Sequence, residues 1–318
     1  MKKLFKLRKF SLISFIVVVA IAAGLVIAIS IYQDDFYTYT PPAVNSPVPA
    51  PVYPQPISKT PSSVRKNVVN LTPKEKAAFV KAVNTLQNTI PEGSELSLYE
   101  QFVLKHVFTM GFYSSSGAKG SALVNPAHAR PAFLPWHRQF LHKFEQALQA
   151  IDPSVTIPYW DWTDPKALSI ILEDDFLGST GKGETIEIPG AGTFKGGAIS
   201  DSILANWTLN ETLHFDYITG KSLGPKLKRF IGLPPCSQYP IPKVKVEKIF
   251  KFDNYEIFNA LLEGALKLDK KSSWVAGWEL HAYIHSLIGG SLVDKLEPGR
   301  VHHQALILGT MDSVHCYP

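Results

Sequence analysis

Apolar residues recur at helical spacing over several long stretches of this 318-residue chain. The segment Thr72–Glu75 has the order of a helix start: a capping threonine, a proline at the first helical position and a glutamate three residues after the cap. An apolar stripe follows and predicts a helix to about Thr89. Similar periodicity predicts further helices at 97–110, 138–151, 254–268 and 274–288. Glycines interrupt residues 164–235, where we expect loops and short strands.

A continuous apolar segment near the N-terminus has a different character. Residues 11–32 carry no charge and are long enough, as a helix, to span the ~30 Å hydrocarbon core of a bilayer. Five cations precede this segment and no small-residue cleavage site follows it. We therefore expect a basic cytoplasmic N-terminus at 1–10 and a single-pass signal anchor at 11–32, with the rest of the chain lumenal or extracellular. The alternative is a cleaved signal peptide and a secreted product.

A proline-rich stretch separates this apolar segment from the helical part of the chain. Residues 41–61 contain eight prolines and show neither helical nor strand periodicity, which is typical of extended polyproline II structure. We expect a semi-rigid stalk over 33–62 and one globular domain over 63–318. Three glycosylation sequons fit a lumenal surface; they begin at Asn70, Asn206 and Asn210.

Composition and charge argue for a globular protein and against nucleic-acid binding and a disulfide framework. The chain is 45% hydrophobic and 19% charged, which suits a globular protein with a sizeable core. Five of the cations behind the net charge of +5 lie within the first nine residues, and no basic stripe with interleaved aromatic residues indicates nucleic-acid binding. Two cysteines, Cys236 and Cys316, cannot build a disulfide framework, although one bridge is possible in an oxidising compartment.

Histidines in fixed patterns provide the candidate chemistry. His128 and His137 stand nine residues apart in the segment 128–145, which reads HARPAFLPWHRQFLHKFE. His281 and His285 are four residues apart, share one face of a predicted helix, and can therefore bind one ion. A single histidine beside aromatic residues is more often a core residue than a ligand, so the metal hypothesis depends on the patterns occurring together.

These patterns together resemble a known family. Segment 128–145 resembles the copper A signature of the tyrosinase and haemocyanin family, the type-3 copper proteins. Segment 157–163, IPYWDWT, is similar to the block that follows copper A, where the tryptophans would pack and Asp161 would accept hydrogen bonds. Segment 281–290 resembles the start of copper B. The resemblance covers about residues 63–303 and implies a mainly α fold, in which a four-helix bundle core holds a binuclear copper site, with loops and short strands around it.

The resemblance also implies a set of copper ligands. The family uses three neutral imidazoles for each of two copper ions, which is suitable chemistry for copper. His106 has the family's spacing before the second copper A ligand, although a histidine packed in the core is the alternative. The implied ligands of copper A are His106, His128 and His137, and those of copper B begin with His281 and His285.

The last copper B ligand should come from the doublet His302-His303, with His303 preferred because the family uses the second histidine of the doublet. The chain departs from the family pattern from about residue 291: Arg300 stands at an aromatic position, the spacing is one residue short, and Ile307 replaces an aspartate. The other histidines are interpreted as solvent-facing or structural; they are His142, His214 and His315.

The family places a glutamate before the copper B helix, where it holds a water able to deprotonate an incoming phenol. Glu263 and Glu279 are the candidates. Glu263 matches the family's Leu-Glu-Gly better, but it lies 18 residues before His281, which implies an insertion. Ala282 stands where strongly monophenol-active members often carry asparagine, which favours diphenol oxidation over monophenol hydroxylation.

The resemblance therefore implies a copper-dependent polyphenol oxidase that takes a small phenolic substrate and O2 and forms o-quinones. Two alternatives remain open at this point. One is an oxygen-binding protein like haemocyanin, which would use the same kind of site without substrate turnover. The other is an inactive, truncated product that binds too little copper, which the atypical C-terminal segment suggests.

Overall fold

Helices dominate the part of the chain that the structure, a computed structural model, describes. The described residues are 64–110, 127–128, 131–188, 190–214, 222–234, 236–268, 274–276 and 279–292. The helices among them are α1 Pro73–Asn88, α2 Leu98–Met110, α3 Phe133–Ile151, α4 Ala167–Ile171, α5 Lys243–Ile249, α6 Tyr255–Glu263 and α7 Leu280–Ile288. The strands are β1 Lys182–Ile188, β2 Gly192–Ala198, β3 Lys228–Arg229, β4 Ala265–Leu268 and β5 Trp274–Ala276.

The first helix begins where the sequence predicts. The Thr72 hydroxyl accepts a hydrogen bond from the Glu75 N–H, and the Glu75 carboxylate accepts one from the Thr72 N–H at 2.9 Å. This capping box satisfies donors that a helix start otherwise leaves open. The buried face of α1, which includes Phe79 and Leu86, packs against α2 and α3.

Four further helices form the core around which the candidate site is built. Helix α3 packs on α6, and α6 packs on α7. Helix α2 meets α3 through Phe102, whose ring lies 5.9 Å from that of Phe140 and 5.2 Å from that of Phe144. The predicted mainly α fold with a helical core is therefore confirmed.

The strands lie outside this helical core. β1 and β2 form an antiparallel hairpin, with register from Lys182↔Ala198 to Ile188↔Gly192, and β3 pairs with the other edge of β2. This small sheet falls within residues 164–235, where loops and short strands are predicted, and that prediction is confirmed. β4 and β5 form a second antiparallel hairpin between α6 and α7.

Three of the predicted helix boundaries are wrong, each for a physical reason. The helix predicted at 138–151 begins at Phe133, because a proline in the first turn needs no N–H partner. The helix predicted at 254–268 ends at Glu263, where Gly264 adopts a φ of +130°. The helix predicted at 274–288 begins only at Leu280, because its first three residues pair as strand β5 with the segment after Gly264.

A partly buried ion pair connects the chain before α1 to the long helix α3. The Arg65 guanidinium donates to both carboxylate oxygens of Glu145, at 3.0 and 2.9 Å. Glu145 also accepts a hydrogen bond from the Ile157 N–H at 3.0 Å. Next to this pair, the Val68 N–H donates to the Tyr159 carbonyl at 2.9 Å. Glu145 of the histidine-containing motif therefore joins three segments of the chain.

In the described part of the chain, no helix has the length and apolar character needed to cross a membrane. The predicted basic segment 1–10, anchor 11–32 and stalk 33–62 lie outside the described residues, so membrane attachment stays a prediction. Of the three sequon asparagines, Asn70 and Asn206 are exposed and Asn210 is half-buried.

We predict that Arg65→Ala lowers the free energy of unfolding by about 3 kcal/mol, because it leaves the Glu145 carboxylate largely buried without its counter-ion. Equilibrium unfolding in urea measures this change. The matched control is Lys243→Ala, which removes an ion pair with Glu247 between two exposed side chains. Its effect should stay within about 0.5 kcal/mol. Equal losses in the two variants would contradict the role assigned to Arg65.

Candidate metal centre

Helix α2 brings His106 into the core. Its N-terminus is capped in the manner of α1: Glu100 N–H donates to the Ser97 hydroxyl at 3.1 Å, and Ser97 N–H donates to the Glu100 carboxylate at 3.0 Å. Tyr99, Phe102 and His106 follow at helical spacing on its buried face. The His106 ring, which is 4% exposed, therefore points inward with the aromatic residues of this face.

Helix α3 supplies His137 from its first turns. The ring Nδ1 lies 2.8 Å from the carbonyl oxygen of Phe133. A carbonyl oxygen can only accept a hydrogen bond, so Nδ1 carries the ring proton and Nε2 keeps its lone pair. Burial lowers the pKa of His137 to about 4, so the ring is neutral at physiological pH. This is the tautomer that a metal bound through Nε2 requires.

His128 completes a cluster of three imidazoles. It precedes α3, is buried, and lies with its ring centroid 5.1 Å from His106 and 4.8 Å from His137. One ring nitrogen from each of the three residues lies within 4.8 Å of the other two. The Nε2 atoms of His106 and His137 are 3.2 Å apart. Three separate segments of the chain thus converge on one point.

Helix α7 supplies a second group of imidazoles. His281 and His285 lie one turn apart, both buried, with their Nε2 atoms 2.9 Å from each other. Burial lowers the pKa of His285 to about 3, and the nearby His137 lowers it further. The His285 ring is therefore neutral at physiological pH, and the two histidine groups lie close enough for one to affect the other electrostatically.

Phe133 lies between the two histidine groups. Its ring centroid is 4.7 Å from that of His137, 5.9 Å from that of His128 and 5.1 Å from that of His281. Its side chain is fully buried, and its carbonyl accepts a hydrogen bond from Nδ1 of His137. Sequence reasoning did not single out this role, although Phe133 stands one helical turn before His137 and could have been identified by that spacing.

The arrangement of donors fits metal ions. Consider one ion about 2.0–2.1 Å from each of two imidazole nitrogens, with an N–metal–N angle between about 90° and 109°. The two nitrogens are then roughly 2.9–3.4 Å apart. The observed separations of 2.9 and 3.2 Å lie within that range. Imidazole is a donor that suits copper among other late first-row metals. The residues present therefore fit copper, and the choice among such metals depends on the family.

The two candidate glutamates differ clearly in their surroundings. Glu263, at the end of α6, is 7% exposed, whereas Glu279 forms an exposed ion pair with Lys245 at 2.8 Å. Burial raises the pKa of the Tyr255 phenol, and the charge of Glu263 raises it further. The Tyr255 hydroxyl donates to the Pro131 carbonyl at 2.6 Å, just before the helix that carries His137. Hairpin β4–β5 occupies part of the segment between Glu263 and α7.

The remaining sequence predictions have different outcomes. Asp161 accepts hydrogen bonds from the N–H and hydroxyl of Thr163, both at 2.8 Å, and Trp160 and Trp162 are fully buried, as predicted.

His142 is exposed. His214 is fully buried and hydrogen-bonded through both ring nitrogens. The histidines of the predicted C-terminal doublet and the last histidine lie outside the described residues; they are His302, His303 and His315.

Comparison with known proteins identifies relatives of this chain. The family model for the common central domain of tyrosinase matches residues 96–316. The tyrosinase of Streptomyces antibioticus is 31% identical over 243 residues, which is 74% of this chain and 76% of that relative. The grixazone synthase of Streptomyces griseus is 42% identical over 120 residues, 37% of this chain and 36% of its own length.

A solved structure supports the same fold. A polyphenol oxidase variant from Thermothelomyces thermophila superposes with a TM-score of 0.52 at 21% identity, over 79% of this chain. The match spans 65% of that protein, so about a third of its length has no counterpart in the superposition. Sequence and site together define a type-3 copper protein. The chain belongs to the tyrosinase family and is an oxidoreductase of the polyphenol oxidase type.

We predict that His137→Ala loses about half of the copper bound after reconstitution, because the copper A cluster then keeps only two imidazoles. Metal analysis of the dialysed protein measures copper per chain. His142→Ala, five residues further along the same helix but exposed, is the matched control and should keep the full complement. Unchanged copper in His137→Ala would show that this residue is not a ligand.

Proposed function

We propose that this protein oxidises o-diphenols to o-quinones with O2 at a binuclear copper centre. The observation that carries the proposal is the pair of buried, all-imidazole clusters that meet across Phe133 within the helical core. Membership of the tyrosinase family supports the choice of metal and reaction. The described residues provide metal binding, exclusion of water and proton transfer in this proposal.

One copper ion would be held by His106, His128 and His137, and the second by His281 and His285. Copper, when bound, supplies the redox chemistry, activating O2 and accepting electrons from the phenol. Because burial keeps His137 and His285 neutral at physiological pH, metal binding does not have to compete with a charged form of either ring. A third imidazole for the second ion stays a prediction, with His303 preferred.

The aromatic side chains around the clusters limit access of water. The ring of Trp136 stacks on Phe140 at 5.0 Å, and both lie 5.6 Å from the ring of His106. Phe133 fills the space between the histidine groups. An apolar surround of this kind excludes water, and electrostatic interactions within the site are stronger as a result. It also provides a surface on which a phenol ring can pack.

Glu263 is the residue we assign to proton transfer. It takes the proton of an incoming phenol hydroxyl, directly or through a water, so that the phenol binds as the phenolate. Its buried position on α6, a helix that packs against both α3 and α7, supports this role. Glu279 does not share that environment, since its carboxylate faces Lys245 at the surface.

Diphenols are proposed as substrates in preference to monophenols. Ala282 directly follows His281, and its methyl group offers no hydrogen bond to a water or a phenol hydroxyl. Members of the family with strong monophenol activity often carry asparagine at this position, and its amide can hydrogen-bond such a water. The absence of a polar side chain at position 282 therefore favours the diphenol reaction.

We predict that protein reconstituted with copper converts catechol to o-quinone, and that removal of the metal by a chelator abolishes this conversion. The copper-loaded chain should turn over catechol faster than phenol. Absorbance of the quinone and consumption of O2, followed together, measure both rates. Reversible O2 uptake without quinone formation would instead identify an oxygen carrier. Absence of copper binding would identify an inactive product.

We predict that Glu263→Gln lowers kcat/KM for catechol by about 10²- to 10⁴-fold, because the amide cannot accept the substrate proton. Copper content should stay at the wild-type level, since the substitution preserves shape and removes no imidazole. Steady-state kinetics and metal analysis test this together. Glu279→Gln is the matched control and should retain near-wild-type kinetics; the opposite ranking would transfer the proton-accepting role to Glu279.

A further inference from the structure

A third buried histidine lies outside both clusters. His214 is fully buried, and the structure gives a partner to each of its ring nitrogens. Nδ1 lies 2.5 Å from the carbonyl oxygen of Gly224, ten residues further along the chain. Nε2 lies 2.9 Å from the hydroxyl of Ser291, which is 77 residues away. This histidine therefore joins two distant segments and is not available as a metal ligand.

The direction of each hydrogen bond in this network follows from its partners. The Gly224 carbonyl can only accept, so Nδ1 of His214 donates and Nε2 accepts. The Ser291 hydroxyl must then donate to Nε2. The Ser291 oxygen in turn accepts a hydrogen bond from the Lys228 N–H at 2.8 Å. A chain of hydrogen bonds thus runs from the backbone of β3 through Ser291 to His214, and every member is satisfied.

Ser291 lies in the turn that ends helix α7. Two backbone hydrogen bonds join this end of α7 to the segment after β3: Gly232 N–H donates to Leu287 at 2.7 Å, and Phe230 N–H donates to Ile288 at 3.3 Å. The turn packs so closely that a Cβ added to Gly290 would lie 2.3 Å from the carbonyl oxygen of Lys228. The C-terminal end of α7 is therefore held against this segment by backbone contacts and by Ser291.

This attachment matters because both described imidazoles of the second cluster are on α7. His281 and His285 share one helix face, so the orientation of that single helix decides where both nitrogens point. In the first cluster, by contrast, the donors come from three segments. A rotation of α7 would move the two nitrogens of the second cluster together, away from the first cluster and Phe133.

We propose that His214 is a positioning residue for the second copper ion: through Ser291 it fixes the end of α7 and thereby the direction of His281 and His285. The inference rests on the proposed copper-binding function. An imidazole suits this position because its two nitrogens point in different directions, one donating and one accepting, so that it bridges two segments in a fully buried site. Neither an amide nor a hydroxyl spans both partners in this way.

Two substitutions separate the two hydrogen bonds of His214. The amide of asparagine corresponds in position to Nδ1, so His214→Asn keeps a donor for Gly224 and loses the acceptor for Ser291. The longer glutamine reaches the position of Nε2, so His214→Gln keeps an acceptor for Ser291. Ser291→Ala removes the same bond from the other side, and with it the acceptor of the Lys228 N–H. It therefore tests the inference even if His214→Asn does not fold.

The experiment uses the full chain reconstituted with copper and follows metal loss to a chelator, together with the electron paramagnetic resonance signal of uncoupled Cu(II). In His214→Asn and in Ser291→Ala, one of the two ions should dissociate about tenfold faster than in the wild type, since residues supporting metal ligands have effects of about 10- to 100-fold. An uncoupled Cu(II) signal should appear as that ion leaves. The double variant should be little worse than Ser291→Ala alone, because that substitution already removes the hydrogen bond that His214→Asn breaks.

The conservative variant and the control complete the test. His214→Gln should hold copper nearly as the wild type does, and so should His142→Asn, a substitution at an exposed histidine. If His214→Asn and Ser291→Ala kept both ions at the wild-type rate, or if His214→Gln lost copper as fast as His214→Asn, the positioning role would be refuted. Failure of the wild-type protein to bind two ions would instead refute the proposed function.

Discussion

The candidate centre depends on burying several imidazoles with ring nitrogens directed at one another. Burial of a polar nitrogen costs free energy unless it finds a partner. At His137 the backbone offsets part of this cost, because the Phe133 carbonyl accepts a hydrogen bond from the Nδ1–H and leaves Nε2 for a metal. The low pKa of about 4 for this ring follows from the same burial. A metal ion would satisfy the nitrogens that converge here, so metal binding and core packing stabilise each other.

Contacts far from the histidines keep the ligand-bearing helices in place. Glu145, on the same helix as His137, binds Arg65 from before α1 and the N–H of Ile157 after α3. The end of α7 is held in a similar way by Ser291 and the segment after β3. Glu145 lies just over two helical turns after His137, and Ser291 lies six residues after His285. The precision of the site therefore comes from buried polar contacts at a distance from it as well as from the apolar core.

Much of the site could be predicted because short-range spacing encodes it. His281 and His285, four residues apart on α7, are in close contact. So are His128 and His137, which stand nine residues apart around the Phe-Leu-Pro-Trp segment. The polar partner of His214 could not be predicted, since Ser291 is 77 residues away and no local pattern joins them. The helix predicted across 254–268 failed because the apolar period continues past Gly264 into a strand whose partner is decided by tertiary pairing. Local periodicity shows which residues are buried, but it does not show whether they belong to a helix or to a strand.

The two clusters differ in how much of the fold each one requires. The first takes His106, His128 and His137 from three segments, so its geometry exists only when α2, α3 and the residues before α3 are packed together. The described part of the second is contained in one helix, and its 2.9 Å nitrogen separation follows from a single helical turn. Binding at the first cluster therefore depends on global packing, while binding at the second depends on the formation and orientation of α7. Phe133 packs against histidine rings of both clusters, so its position depends both on global packing and on the orientation of α7.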